Sequence, residues 1–205
     1  MKISYAITVC YEYDELKKLV SFLKDKIREN DEIVVTFDRQ GGTSEVRNYL
    51  SKNEDILNWF QFDFNKDFAE LKNFSKSKCS GDYIFHLDAD EIPNEILIKQ
   101  LPQILEINDV DLLWIPRVNI VNGLTQEHIK KWGWQVSEKG WVNFPDYQSR
   151  VFKNEDGIVW YGKVHEIIQG AKTYSHLPPH QELSLHHEKE IERQEKQNNL
   201  YGEIS

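Results

Sequence analysis

Apolar and polar positions follow two different periods in the first half of the chain. Short apolar stretches, several of them alternating every second residue, predict strands, and they lie at 3–9, 32–38, 59–64, 81–88 and 111–118. Between them, apolar residues recur every three or four positions, which predicts helices at 15–27, 44–50, 67–78 and 93–106. Alternating strands and helices indicate an α/β fold with a mostly parallel central sheet, flanked by helices on both faces.

The second half of the chain has a different pattern. Residues 114–160 contain five of the six tryptophans, several glycines and few long apolar runs, which predicts loops and short strands built over the sheet. The charged stretch from residue 186 onward predicts a helix. We therefore divide the chain into one domain at 1–187, with halves at 1–118 and 119–187, and a charged C-terminal helix or tail at 188–205.

Composition and charge restrict the partners and the location. The 205 residues are 40% hydrophobic, which is enough for a packed core, and the net charge of −9 disfavours a nucleic-acid partner. The first ten residues alternate like a strand rather than a signal peptide, and no run approaches the roughly 18 apolar residues of a membrane span. Cys10 and Cys79 suggest no disulfide framework. We expect a cytoplasmic protein without a membrane span.

Three acids follow the apolar strand predicted at 81–88: Asp88, Asp90 and Glu91. Ligands of open α/β sheets bind at the carboxyl ends of the strands. Two neighbouring carboxylates repel each other unless a cation lies between them, and carboxylate oxygens suit Mg²⁺ or Mn²⁺. The alternative is that Asp88 and Asp90 only cap a helix that begins near Pro93.

These acids lie in a segment that resembles a known enzyme family. "GDYIFHLDADE" resembles the D-x-D segment of family 2 glycosyltransferases, which have the Rossmann-like GT-A fold. "AITVCYEYDELKKLVSFL", "EIVVTFDRQGGTSE" and "FAELKNFSKSKCSGDY" resemble the first strand, the second strand and the helix before D-x-D. "WVNFPDYQSRVFKNEDGIVWYGKVHEII" is similar to a bacterial lipopolysaccharide-glucosyltransferase-like subgroup with a G-x-V-H-E segment. The resemblance spans about residues 1–187.

The resemblance implies transfer of a sugar, with inversion, from a nucleotide-sugar donor such as a UDP-sugar to a hydroxyl acceptor such as a glycan. It also implies a Mn²⁺ or Mg²⁺ cofactor on Asp88 and Asp90, with His165 as third ligand and His186 as a weaker alternative. The family's helix often carries an Arg where this chain has Lys72, which would reach the diphosphate as a point charge. The residues implied for nucleotide-sugar binding are Tyr11, Glu12, Asp38, Lys72, Asp88 and Arg150.

Inversion needs a general base on the face of the sugar opposite the leaving group. The resemblance makes Asp146 the first choice and Glu166 the second. Aromatic faces stack on sugars, so Trp132, Trp134 and Trp141 are candidates for the acceptor site of the smaller Trp-rich region. Packing of that region is the alternative for these three residues.

Two other functions fit parts of the same pattern. A nucleotidyltransferase can use a similar sheet and paired acids, but the sequence lacks a Gly-rich basic loop near the first strand. A binding module could hold a nucleotide or a glycan without turnover. The presence of several acids together in the family-like segments favours the glycosyltransferase.

Overall fold

A computed structural model describes residues 1–204, with the side chains of residues 1–196 and Asn198. The strands are β1 Ile3–Val9, β2 Glu32–Asp38, β3 Asn58–Phe62, β4 Tyr83–Asp88, β5 Glu91–Pro93, β6 Leu112–Asn122, β7 Val142–Lys153, β8 Val159–Tyr161, β9 Ile167–Gln169, β10 Tyr174–His176 and β11 Leu185–Glu190. The α-helices are α1 Tyr13–Lys26, α2 Ser44–Ser51, α3 Phe68–Lys76, α4 Glu95–Asn108, α5 Gln126–Trp132 and α6 Ile191–Ile204, and Gln181–Leu183 is a 3₁₀ helix.

Nine strands form one central sheet in the order β3-β2-β1-β4-β7-β6-β11-β5, with β10 also beside β6. The first four are parallel neighbours, and β7 runs antiparallel to both β4 and β6. Strands β8 and β9 form a small separate sheet. The prediction of an α/β fold with a mostly parallel, helix-flanked sheet is confirmed.

The packing of the core leaves one edge of the central sheet open to ligands. Tyr5, Ile7 and Leu87 of the central strands are fully buried. On α1, Leu16 and Leu19 lie on the apolar helical face that packs against the sheet. Because this packing covers the faces of the sheet, the carboxyl ends of β1, β2 and β4 are left as the open edge.

The prediction for the second half is wrong in its central part. β6 and β7 are long strands of 11 and 12 residues, and they pair with each other inside the main sheet. Apolar alternation fails in β7 because Asp146, Gln148 and Arg150 occupy the positions that line a cleft. A strand with a polar ligand-facing side lacks the pattern from which a buried strand is recognised.

Two boundaries also differ from the predictions. Pro93 lies in β5, and α4 begins at Glu95, where the side chain of Asn94 accepts a hydrogen bond from Ile96 N. The proposed capping role of Asp88 and Asp90 is therefore wrong. The strand β11 crosses the expected boundary at residue 188, so only the part of the tail from Ile191 onward is helical, and residue 205 lies outside the described residues.

Glu32 joins the beginnings of three parallel strands. Its carboxylate accepts hydrogen bonds from Lys2 Nζ at 2.9 Å, Ser4 Oγ at 2.5 Å and Ser80 N at 2.7 Å. Burial raises the pKa of Glu32, but the hydrogen bonds from Ser4, Lys2 and Ser80 outweigh it, and the pKa falls to about 2.

We expect Glu32→Gln to destabilise the protein at pH 7. The depressed pKa means that the ionised form stabilises the fold above the ordinary pKa of glutamate, and that this contribution is lost as the pH falls towards 2. Urea unfolding of both proteins between pH 7 and pH 2.5 should show the difference in stability narrowing below about pH 4.5. The exposed Glu29→Gln is the control, and a difference that does not depend on pH would contradict the assignment.

Candidate active site

A cleft of about 710 Å³ opens at the carboxyl ends of β1, β2 and β4. Its walls come from these ends, from α3, from the middle of β6 and β7, from the loop after β8, and from β11 and α6. Most of the predicted site residues line it, namely Tyr11, Glu12, Asp38, Lys72, Asp88, Asp90, Trp134, Asp146, Arg150, His165 and Glu166. Among the described residues, Trp132 and Trp141 do not belong to this lining.

Asp88 is held by two cations of the protein. Its Oδ2 accepts a hydrogen bond from Arg150 Nη2 at 2.5 Å, and its Oδ1 lies 3.7 Å from Lys72 Nζ. Burial raises the pKa of Asp88, but the charges of Arg150 and Lys72 hold it well below the ordinary aspartate value. Asp88 is therefore ionised, and protein cations already offset its charge.

Glu91 is the buried acid that fixes the positions of Asp88 and of the arginine beside it. It is fully buried, and its Oε1 accepts hydrogen bonds at 2.7 Å from both Arg117 Nη1 and Arg150 Nη2. Its Oε2 accepts one from the backbone N–H of Asp88 at 3.2 Å. The sequence places Glu91 in the acidic cluster and Arg150 among the predicted site residues, but no pattern in it indicates Arg117 or the pairing of both arginines with Glu91.

Asp90 contacts a different set of residues. Its Oδ2 lies 3.2 Å from His187 Nε2 and 3.1 Å from Arg193 Nη2. Burial raises the pKa of Asp90, but the His187 hydrogen bond and the charge of Arg193 lower it to about 2. His187 is therefore a cleft histidine that the sequence analysis did not single out, and the predicted His165 lines the same cleft. Neighbouring residues of a strand point to opposite faces, and of the two histidines on β11 it is His187 that lines the cleft.

The residues around Asp90 provide some, but not all, of the ligands that a divalent cation needs. Within the described residues no three His, Cys, Asp or Glu side chains form a group that could hold a metal ion, so the predicted trio is not a preformed centre. Asn119 donates from Nδ2 to Asp146 at 2.8 Å, which turns its Oδ1 towards His187 Nδ1 at 2.9 Å. If Nδ1–H donates to Asn119 Oδ1, His187 Nε2 would be able to share a metal cation with Asp90 Oδ2.

Asp146 is the most fully hydrogen-bonded acid on the other side of the cleft. Its Oδ2 accepts from Arg117 Nε at 2.9 Å, Arg117 Nη2 at 2.7 Å and Asn119 Nδ2, and its Oδ1 accepts from Gln148 Nε2 at 2.8 Å. Burial raises its pKa, while the charge of Arg117 and these hydrogen bonds lower it below the ordinary value. Glu166, the second candidate, is paired with Lys72 Nζ at 2.5 Å.

Glu12 and Asp38 line the cleft and also fix the turns that carry them. Glu12 Oε2 accepts hydrogen bonds from the backbone of Cys10 at 2.9 Å and of Tyr11 at 3.0 Å. The carboxylate of Asp38 accepts from the backbone of Gln40 and Gly41. A Cβ at Gly42, the next residue of this turn, would lie 2.3 Å from the backbone oxygen of Asp38, so the close approach there requires glycine.

The tryptophans of the smaller region are only partly at the cleft. Trp134 lines it, and Trp132 packs behind Trp134 with ring centroids 4.6 Å apart. Trp132 also stacks on His128, and Trp141 packs on Phe144. The structure thus brings one of the three predicted acceptor residues into the cleft and gives the other two packing roles.

The sheet and its flanking helices have the GT-A fold, with Asp88 and Asp90 at the carboxyl end of a central parallel strand. Residues 4–177 match the family described as "Glycosyl transferase family 2", and the chain belongs to that family. No curated protein shows a significant sequence match to the chain.

Solved structures share this fold at low sequence identity. The crystal structure of S. aureus TarS 1–349 matches with a TM-score of 0.65 and 15% identity, covering 92% of this chain and 60% of that one. The complex of S. aureus TarS 1–349 with UDP-GlcNAc matches with a TM-score of 0.64 and 16% identity, covering 92% and 59%. The chain therefore spans about three fifths of the length of these TarS structures. At such identity the match shows the fold.

No helix in the described part of the chain is both long enough and apolar enough to cross a membrane.

Proposed function

We propose that the chain transfers a sugar, with inversion, from a UDP-sugar to a hydroxyl group of a glycan. The observation that carries the proposal is the cleft itself, in which Asp88, Asp90 and Asp146 stand at the carboxyl ends of the strands and along β7. A structural neighbour, S. aureus TarS 1–349, has been crystallised with UDP and with UDP-GlcNAc, which supports UDP as the nucleotide. The lipopolysaccharide-glucosyltransferase-like subgroup stays a prediction.

The donor side of the site is built around Asp88 and Asp90. Asp90 and His187 would hold Mn²⁺ or Mg²⁺, which when bound offsets the negative charge that develops on the leaving diphosphate. Asp88, kept ionised and oriented by Arg150, accepts a hydrogen bond from the ribose. Tyr11 at the rim covers the nucleotide.

Asp146 serves as the general base on the acceptor side. Arg117 and Asn119 fix its carboxylate, and its lowered pKa keeps it ionised near neutral pH. It takes the proton of the acceptor hydroxyl while that oxygen forms the bond to the anomeric carbon, and the bond from this carbon to the nucleoside diphosphate breaks. Trp134 lies in the same cleft and offers an aromatic face to the acceptor sugar.

We propose a cytoplasmic location for this enzyme. Cys10 and Cys79 are both unpaired, as is usual for proteins of reducing compartments.

A thermal-shift panel tests the donor site. Nucleoside diphosphates, nucleoside triphosphates and nucleotide sugars are each added with and without Mn²⁺. We expect UDP with Mn²⁺ to raise the melting temperature by roughly 5–10 °C, because a ligand at a hundred times its Kd stabilises by about 2.7 kcal/mol. Asp90→Asn should abolish the metal-dependent part of the shift.

The control for this panel is Asp156→Asn, an exposed acid outside the cleft lining. Its shifts should match those of the wild type. Shifts with nucleoside triphosphates alone would replace the proposal with a nucleotidyltransferase. Binding of UDP-sugars without any turnover towards glycans would replace it with a binding module.

A further inference from the structure

One wall of the cleft is formed by the C-terminal segment, defined here as residues 187–198. β11 contributes His187 and Lys189, and α6 contributes further residues to the lining. This segment lies beyond residues 4–177, which match the family. The family match therefore does not cover the contribution of this segment to the site.

The C-terminal segment supplies half of the positive charge of the cleft. Among the described side chains, the lining has six acids and six bases, and three of the bases come from this segment. Without the segment, the lining would carry three more negative than positive charges in a chain whose net charge is already −9. The acids are Glu12, Asp38, Asp88, Asp90, Asp146 and Glu166, and the bases are Lys72, Arg117, Arg150, Lys189, Arg193 and Lys196.

Arg193 is placed at the centre of this wall. Its Nη2 lies 3.1 Å from Asp90 Oδ2 and 3.2 Å from Glu12 Oε1, and its Nη1 donates to Glu15 Oε1 at 2.9 Å. These ion pairs join α6 to the tip of β4 and to the start of α1. They also bring a guanidinium to the second acid of the D-x-D segment, where the proposed function puts the diphosphate of the donor.

The chemistry of a guanidinium suits this position. It has five N–H donors in a planar fork, more than the three carboxylates use, and it can bind phosphate oxygens in a bidentate manner. The side chain is about one quarter exposed, so a ligand in the cleft can reach it. The three bases from outside the segment, Arg117, Arg150 and Lys72, are paired with Glu91, Asp88, Asp146 and Glu166, so the segment is the source of further positive charge for a diphosphate.

We infer that the C-terminal segment is the diphosphate-binding wall of the donor site, and that Arg193 is the residue that binds the diphosphate. The inference rests on the proposed function, since it assumes that a nucleoside diphosphate enters the cleft. Its rival is a purely structural role, in which Arg193 only fastens α6 over the cleft.

Calorimetric titration with UDP and with uridine separates these two roles. The full chain, Arg193→Gln and Glu15→Gln are compared at the same salt and Mg²⁺ concentrations. We expect Arg193→Gln to weaken UDP binding by about 10- to 100-fold, the range for losing hydrogen bonds to a charged group, and to leave uridine binding within twofold. Glu15→Gln removes a partner of Arg193 outside the cleft lining and should leave both affinities unchanged.

Each other outcome has a definite meaning. Equal losses for UDP and uridine in Arg193→Gln would overturn the inference in favour of the structural role, and wild-type affinity for UDP would also overturn it. If Arg193→Gln does not fold, Lys196→Gln decides, because it removes a cation of the same wall without touching the ion pairs of Arg193. Its UDP affinity should fall at low salt, and an unchanged affinity would overturn the inference. If the wild type binds no nucleotide at all, the proposed function fails as well.

Discussion

Glu91→Gln is expected to lower the free energy of unfolding by about 3–5 kcal/mol, the cost of removing one partner from a buried ion-pair network. Glu91 is fully buried between the guanidinium groups of Arg117 and Arg150. The neutral amide keeps the shape of the side chain but leaves two buried cations undercompensated. Thermal unfolding should show the melting temperature falling by roughly 6–20 °C for a chain of this size.

Asp63→Asn is the matched control for this prediction. Asp63 also pairs with an arginine, Arg39, but both side chains are largely exposed, and exposed pairs contribute little to stability. Its melting temperature should remain close to that of the wild type. If Glu91→Gln melted as close to the wild type as this control, the buried network would not be what holds the strands β4, β6 and β7 at the cleft.

The strands β1, β2 and β4 could be predicted because they are buried on both faces. β1 and β2 have the predicted bounds of 3–9 and 32–38, since burial keeps most of their inner positions apolar. The full length of β7 and the strand β11 were not predicted, for the opposite reason. Their cleft-facing positions carry residues such as Arg150 and Lys189, and polar residues on a strand remove the apolar period from which the strand is inferred.

The residues of the site also divide into those that the sequence could predict and those that it could not. Asp88 and Asp90 could be found because they follow a buried strand, and the carboxyl ends of parallel strands meet at one edge. His187 and Arg193 are about a hundred positions away in the sequence, in a segment whose charge favoured a solvated helix. Their meeting with Asp90 depends on β11 pairing with β6 and β5, and no local pattern records that pairing.

Asp146→Asn is expected to lower the turnover of sugar transfer by at least about a hundredfold, the scale for losing a positioned general base. The amide cannot take the proton of the acceptor hydroxyl. Binding of the donor should change little, because Asp146 contacts Arg117, Asn119 and Gln148 rather than the D-x-D acids. Turnover under saturating acceptor and the Kd of the donor, measured on the same preparation, check the two parts of this prediction.

Glu166→Gln is the variant that decides between the two candidate bases. Glu166 is paired with Lys72, which also lies near Asp88, so its loss should act mainly on donor binding and leave most of the turnover at saturating donor. If Glu166→Gln lost a hundredfold in turnover while Asp146→Asn kept wild-type rates, Glu166 would be the base. Asp146 would then be an anchor that orients Arg117 and Asn119, and through Asn119 the imidazole of His187 beside Asp90.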